Sequence, residues 1–400
     1  MFKTIKVLDT NYYLNTESLA LFKNSKKHLK DELKQEQEAN CYNKKLYKLI
    51  FNIANTCNLR CMYCYASCGN YGRNNNLMSK EQADLIINEL YHKYTSIQTV
   101  YFFGGEPTIN FKLIKYVVKK LNKYFNIKDY RIVTNATLIN AEMIDFFCKN
   151  NFKIYISIDG PEKINNHLRG TYYPKLINTI HNFKNKKYEQ KLELICTYTK
   201  YHENNISFND LISFFENLGI KYSISDVITN DKRLKIKKTQ KEAIEQEKKF
   251  IDLSFDRILN CSLNVGISHY LRNVIDALVI KSSSQYFCKE LCDNYSNVYD
   301  YNGDIYPCIR LIGTHPKCDP IIDKYNSKSN EKCKNCWAKN ICRDCVADII
   351  LGNNKAPYEK KVCCKKSLYQ YALFKCIELM HKDKKTFDKL IKNFYENYLF

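Results

Sequence analysis

The chain has 400 residues, enough for one large domain and a smaller one with ample core. Its formal charge of +21 is spread through helical stretches beside Asn and Tyr, and no RNA-binding signature accompanies it. That argues against a nucleic-acid protein and leaves attraction for an acidic peptide as the electrostatic option. The nineteen cysteines have no leader of the basic-then-apolar kind before them, so a cytoplasmic protein with metal-binding thiols is expected, and no apolar run reaches bilayer length.

In chain order, residues 1–45 read as two short β-like pieces and a charged helix, Lys23–Glu38. From 46 to 230 β-rich runs alternate with amphipathic stretches, the pattern of a parallel α/β barrel. The expected strands are Leu49–Asn55, Thr99–Phe103, Tyr130–Thr134, Lys153–Ile158, Leu192–Tyr198 and Tyr222–Ile228, which make a partial (β/α)6 TIM-like barrel open on one side. Helices are expected at Ser79–Tyr94, where Ser79 and Gln82 form a capping-box signal, and at Phe111–Tyr124. Residues 231–285 read as a lysine-rich helical bridge with Thr239–Leu259 its strongest helix. Residues 286–365 hold most of the cysteines with little periodicity, so metal is expected to organise them, and 366–400 return to helix.

The densest chemistry follows the first barrel strand. Cys57, Cys61 and Cys64 form a C-x3-C-x2-C triplet, which can bind three irons of a cubic cluster and leave the fourth open to a substrate. A partial zinc site is the alternative, but zinc ligands come as paired knuckles adding up to four. Polar residues recur at the ends of later strands: Gly104, Gly105, Glu106 and Pro107 after the second, Asn135 after the third, Ser157 and Asp159 after the fourth, then Arg169. Parallel barrels place their active sites at that rim.

The triplet, with Tyr63 before its third cysteine, resembles the signature of radical S-adenosylmethionine (SAM) enzymes. The resemblance implies a [4Fe–4S] cluster on Cys57, Cys61 and Cys64 and a SAM site of Tyr63, Gly104, Gly105, Glu106, Pro107, Asn135, Ser157, Asp159 and Arg169. Glu106 would meet the methionine amino group, and Ser157, Asp159 and Arg169 the ribose and carboxylate. Ala136 departs from the pattern, since many relatives carry glycine there. It further implies that the reduced cluster breaks the S–C5′ bond of SAM to give a 5′-deoxyadenosyl radical that takes hydrogen from a peptide carbon.

Cys292-x10-Gly303-x4-Cys308, Cys333-x2-Cys336-x5-Cys342-x2-Cys345 and Cys363-Cys364 resemble the SPASM domain of such enzymes, which holds two auxiliary [4Fe–4S] clusters. By that resemblance the first would use Cys288 or Cys292, Cys308 and Cys345, and the second Cys333, Cys336, Cys342 and Cys363 or Cys364. The last knuckle is one residue shorter than is usual in SPASM domains. A zinc ribbon on the two knuckles is the alternative, and it leaves Cys288, Cys292, Cys308 and Cys363 unexplained. Cys41, Cys148, Cys196, Cys261 and Cys376 read as buried thiols, while Cys68 and Cys318 stay open.

The strings Ala66–Gly72 and Cys196–Lys200 are similar to maturases of cysteine-rich ribosomal peptides, which form thioether crosslinks. The stretch from Lys6 to Leu14 resembles part of a small winged-helix peptide-recognition element, or else is a strand pair closing the barrel bottom. The implied partners are a cysteine-rich precursor peptide and a low-potential electron donor such as ferredoxin or flavodoxin, with no nucleic acid and no membrane. Two other functions remain open: a SPASM enzyme that converts a sulfatase residue to formylglycine, and a non-enzymatic zinc protein that binds nucleic acid.

Overall fold

The computed structural model describes residues 2–23, 44–262, 266–292, 294–352 and 363–397. They fall into two compact units: Cys41–Lys237 with Glu290–Asp319, the barrel unit, and Met1–Asn40, Lys238–Lys289 and Pro320–Phe400, the helical unit. The division cuts across the cysteine-rich segment 286–365. The expected helix Lys23–Glu38 and Cys41 lie outside the described residues.

In the helical unit, strands β1 (Phe2–Val7), β2 (Thr10–Asn15) and β3 (Leu21–Lys23) form an antiparallel sheet in that order. Alternation puts Ile5, Val7, Tyr12 and Leu14 inward.

The barrel unit holds β4 (Lys45–Asn55), β5 (Asn76–Leu77), β6 (Ser96–Gly104), β7 (Asp129–Thr134), β8 (Phe152–Ser157), β9 (Leu192–Tyr198) and β10 (Tyr222–Asp226). To these it adds β11 (Ser296–Tyr299) and β12 (Ile305–Tyr306). The sheet order is β10-β9-β8-β7-β6-β4-β11-β12, with β5 on β4. From β10 to β4 every pairing is parallel, as the alternating pattern anticipated. All six expected strands are present, and β11 adds to them at the β4 end, pairing parallel with β4 through Ser296↔Lys48 to Tyr299↔Phe51. Its four residues are all buried but too few to show a period, so the sequence pattern does not mark a strand there.

The face covered by helices carries a stacked ladder across neighbouring strands, Phe51–Phe102 at 6.2 Å, Phe102–Tyr130 at 6.3 Å and Tyr130–Phe152 at 5.4 Å between centroids. A side chain of this size stabilises by roughly 1.5–3 kcal/mol when buried, and a one-residue slip would turn the ladder outward, so it also fixes register. Helix α1 (Lys80–Lys93) is capped by Ser79, whose hydroxyl accepts from Gln82 N at 3.1 Å. Helix α2 (Phe111–Tyr124) buries Phe111, Ile114, Val117, Val118 and Leu121 at the expected helical spacing. The crossovers continue as α3 (Ala141–Lys149), α4 (Glu162–Arg169), α5 (Tyr173–Asn185), α6 (Lys200–Asn205) and α7 (Phe208–Asn217).

The helical unit is completed by α8 (Gln240–Leu259) and α9 (His269–Val279), then the short α10 (Pro320–Asn326), α11 (Glu331–Lys334) and α12 (Val346–Ile350). Helices α13 (Cys364–Lys382) and α14 (Lys384–Asn397) end it. Helix α8 has a full capping box, Thr239 with Glu242. No helix among the described residues is long and apolar enough to cross a membrane.

Candidate active site

Strand β4 is buried through Asn55, and beyond it the chain leaves the sheet as a loop that carries the cysteine triplet. The loop is tied back at its base by Asn55 Nδ2, which donates to Asn70 O at 3.2 Å and Asn74 O at 2.8 Å. Asp300, fully buried just after β11, pairs with Arg73 at 2.7 Å and accepts from Asn52 Nδ2 at 2.5 Å. The triplet itself is braced by Met62 N on Leu168 O at 2.9 Å and Cys64 N on Cys61 O at 3.1 Å.

All three thiols are partly buried. Burial pushes Cys57 up to about 12, opposed by the Leu59 N–H and reinforced by the charges of Glu106, Cys61 and Cys64. Cys61 is also raised, by burial first, with Arg169 pulling the other way. Thiols so placed become thiolates when a cationic metal takes the proton's place. Among the described residues no three His, Cys, Asp or Glu side chains gather as one ion would require. Three thiols carried on one loop suit a cubane, which offers each thiolate its own iron and leaves the fourth iron open.

The glycine pair after β6 works by close approach. Gly105 N donates to Ala54 O at 2.8 Å and Glu106 N to Thr56 O at 2.9 Å, carrying the β4–β6 pairing beyond the strands. On the other side Gly69 packs directly on Gly105: a Cβ on Gly69 would stand 2.4 Å from Gly105 Cα, and one on Gly105 2.2 Å from Thr56 O. Neither position has room for a side chain, so the cysteine loop and the β6 turn meet backbone to backbone.

Glu106 is fully buried. Its Oε1 accepts from Thr108 N at 3.1 Å, Thr108 Oγ1 at 2.6 Å and Thr134 Oγ1 at 2.7 Å, and its Oε2 from Asn135 N at 2.8 Å. Burial raises its carboxyl above the usual range while these donors oppose the rise. Asn135 joins the third strand to the cysteine loop: its Nδ2 donates to Asn58 Oδ1 at 2.9 Å and lies 3.8 Å from Cys57 Sγ, and its Oδ1 accepts from Thr137. Ala136 sits at φ 61°, the left-handed region that favours glycine, which accounts for the expected glycine there.

Beyond β8, Asp159 is fully buried and its carboxylate is satisfied on both oxygens. Arg169 Nε and Tyr63 Oη donate to Oδ2 at 2.8 Å and 2.5 Å, while Thr197 N and Arg169 Nη2 donate to Oδ1 at 3.0 Å and 3.4 Å. Arg169 also lies over the Tyr63 ring, with Nη1 4.0 Å from Cys61 Sγ. Ser157, Asn135 and Arg169 share the lining of a small cleft with Leu59, Thr137 and Tyr172. Asn58, Gly69, Thr137, Thr197, His202 and the Arg73–Asp300 pair are not marked by the sequence pattern. Gly69 and Thr197 lie inside strings notable for resemblance alone, Arg73 and His202 lie beside them, and Asn58 follows the first cysteine of the triplet.

The second cysteine group divides between the units. Cys292 and Cys308 belong to the barrel unit, while Cys288, Cys333, Cys336, Cys342, Cys345 and Cys363 belong to the helical unit. Within the latter, Cys333 feels the charges of Cys336 and Cys363, and buried Cys342 feels that of Cys363. Burial pushes Cys342 up to about 12, and Lys365 and Lys328 beside it pull it down. Cys345 is exposed at the start of α12. Cys288 is held by Asn326, whose side chain bonds both its N–H and its carbonyl. Of the thiols expected to be buried, Cys196 and Cys376 are, Cys148 is partly so, and Cys261 is exposed. Cys261 lies just past the end of α8, outside the apolar face that buries Ile251, Phe255 and Ile258. Cys68 is partly buried and Cys318 exposed.

A parallel half-barrel with a three-thiol loop at its C-terminal rim defines a radical SAM core. Residues 51–215 match the model of the radical SAM superfamily, so this stretch of the chain is a radical SAM domain. SAM and iron–sulfur clusters are accordingly its cofactors. The cysteine-type anaerobic sulfatase-maturating enzyme of Clostridium perfringens is 24% identical over 335 residues, 74% of this chain and 88% of that enzyme. An uncharacterized protein of Methanocaldococcus jannaschii is 42% identical over 123 residues, only 30% of this chain and 41% of that protein. Among solved structures, hexahistidine-tagged anSMEcpe with bound AdoMet gives a TM-score of 0.63 at 20% identity, covering 88% of this chain and 100% of that one. Streptococcus suis SuiB bound to precursor peptide SuiA gives 0.53 at 19% identity, covering 80% and 76%. These structural likenesses show the shared fold. A radical SAM domain over residues 51–215 marks an enzyme and removes the non-enzymatic zinc reading.

Proposed function

We propose that this enzyme modifies a peptide, forming thioether crosslinks in a cysteine-rich ribosomal precursor. The observation that carries the reading is the meeting of the Cys57, Cys61 and Cys64 loop, Glu106, and the Asp159–Arg169–Tyr63 network at the rim of one parallel sheet. When bound, the cluster and SAM supply a 5′-deoxyadenosyl radical able to take hydrogen from an unactivated carbon. The residues of the chain then have distinct tasks. Cys57, Cys61 and Cys64 ligate the cluster, Glu106 with the turn Gly104–Pro107 receives the methionine end of SAM, and Ser157 and Arg169 line its cleft. Cys333, Cys336, Cys342 and Cys363 hold an auxiliary cluster. If bound there, such a cluster would supply an acceptor for the one electron released when the substrate thiol gives up its proton and its sulfur bonds to the carbon radical.

The peptide's leader docks beside β1, which pairs only with β2 among the described strands. A groove there is lined by Ile5, Lys6, Lys248, Gln370, Tyr371 and Phe374. An added strand would be held by backbone hydrogen bonds, and the lysines suit an acidic leader.

Formylglycine formation is the second reading, favoured by similarity to the Clostridium perfringens enzyme across most of both chains. Mass spectrometry separates the two. A thioether removes two hydrogens per crosslink and keeps sulfur, whereas formylglycine formation from cysteine loses the sulfur. Replacing Cys57, Cys61 and Cys64 together by Ala should abolish 5′-deoxyadenosine release under dithionite, and undiminished release would refute the cluster assignment.

A further inference from the structure

We infer that His202 is a positioning residue for the SAM site, acting through the backbone of Asp159; the inference rests on the proposed SAM-site reading. Strand β9 ends at Tyr198, and Thr199 caps α6 by accepting from Tyr201 N at 3.2 Å. In an ordinary capping box the third helical residue is Glu or Gln, which returns a bond to the cap N–H and has done its work. Here that residue is His202. Its Nδ1 accepts from Thr199 N at 3.0 Å, which places the ring proton on Nε2, and Nε2 then donates to Asp159 O at 2.7 Å. One imidazole therefore joins the cap of α6 to the residue after β8, which a capping carboxylate, having no proton to donate, cannot do at both ends.

What the clamp holds is the hub of the network. Asp159 N donates to Asn165 Oδ1 at 3.1 Å, so the residue is gripped at its N–H, its carbonyl and its carboxylate. The carboxylate in turn orients Arg169 and Tyr63, and Arg169 Nη1 reaches toward Cys61 Sγ. His202, Thr199 and Asp159 are each 0% exposed, so water cannot replace a lost bond. Cys196 Sγ, 3.7 Å from Asp159 O, is a weak second donor to the same carbonyl. A buried carbonyl deprived of its main donor costs about 1–3 kcal/mol, equivalent to roughly a 5- to 150-fold change if the cost appears in a catalytic step.

The two functions of the ring can be separated. Asn at 202 offers a polar atom near the Nδ1 position and keeps the cap without the clamp, while Gln reaches the Nε2 position and keeps the clamp. His202→Asn, His202→Gln and His202→Ala holoenzymes, matched for iron, are compared by the SAM dependence of 5′-deoxyadenosine release. The change that SAM produces in the electron paramagnetic resonance spectrum of the reduced cluster is recorded beside it. The expected result is that Gln stays within about 3-fold of wild type while Asn and Ala fall by about 10-fold or more with an altered spectrum. Equal behaviour of Asn and Gln, or rescue by Asn alone, overturns the inference and leaves His202 a helix cap. A wild-type enzyme that shows neither SAM-dependent release nor a spectral change overturns the SAM-site reading itself, a distinct result.

Discussion

Glu106, in the proposed function, would serve structure and cofactor binding with one buried carboxylate. Four hydrogen bonds from Thr108, Thr134 and Asn135 hold it in place, so it braces the turns after β6 and β7 before it touches any cofactor. Glu106→Ala should therefore lower stability by about 2–4 kcal/mol, because the Thr108 and Asn135 N–H groups lose their acceptor in a dry interior. It should also weaken SAM binding while iron content is retained. Denaturant melting and calorimetry of the variant check the two effects separately. Unchanged SAM affinity in a destabilised protein would make Glu106 a strut only.

At the scale of elements, the barrel strands were legible because each couples a run of apolar or alternating residues to a polar end. The short β11 was not, since four buried residues carry no period. The N-terminal strands present a different problem of experiment. Ile5, Val7, Tyr12 and Leu14 are buried, so deleting the segment would open the core of the helical unit and confuse binding with folding. Surface charge is the better probe. Lys6 is exposed and Lys248 pairs with Glu245 on the exposed side of α8. Lys6→Glu with Lys248→Glu should raise the KM for an acidic-leader peptide by about 10-fold, two rim charges contributing under about 1 kcal/mol each. Uncoupled SAM cleavage should not change, and an unchanged peptide KM would place the leader elsewhere.

For the whole molecule, the proposed function assigns radical generation to the barrel unit and electron uptake to cysteines of the second group. Replacing Cys333, Cys336 and Cys342 by Ala should leave the Cys57, Cys61 and Cys64 cluster intact and 5′-deoxyadenosine still released, with no thioether formed. Since metal can drive folding of such a segment, the informative sample is a soluble variant holding about one cluster less than wild type. Normal crosslinking by that sample, read by mass spectrometry of the peptide, would confine these cysteines to structure.

Features that depend on neighbours along the chain were readable from the residues alone: the triplet, the Gly-Gly-Glu turn, the strand periods and the helix caps. Pairings between residues far apart in sequence needed the folded chain. Asp300 lies 227 positions from Arg73, and His202 lies 43 from Asp159, yet each pair meets in the interior. Gly69 gives no hint alone that it must lie on Gly105. Local spacing encodes backbone periodicity and short-range bonds, whereas burial forces each remaining polar group and each close backbone approach to find a partner, and only the closed fold shows which one it found.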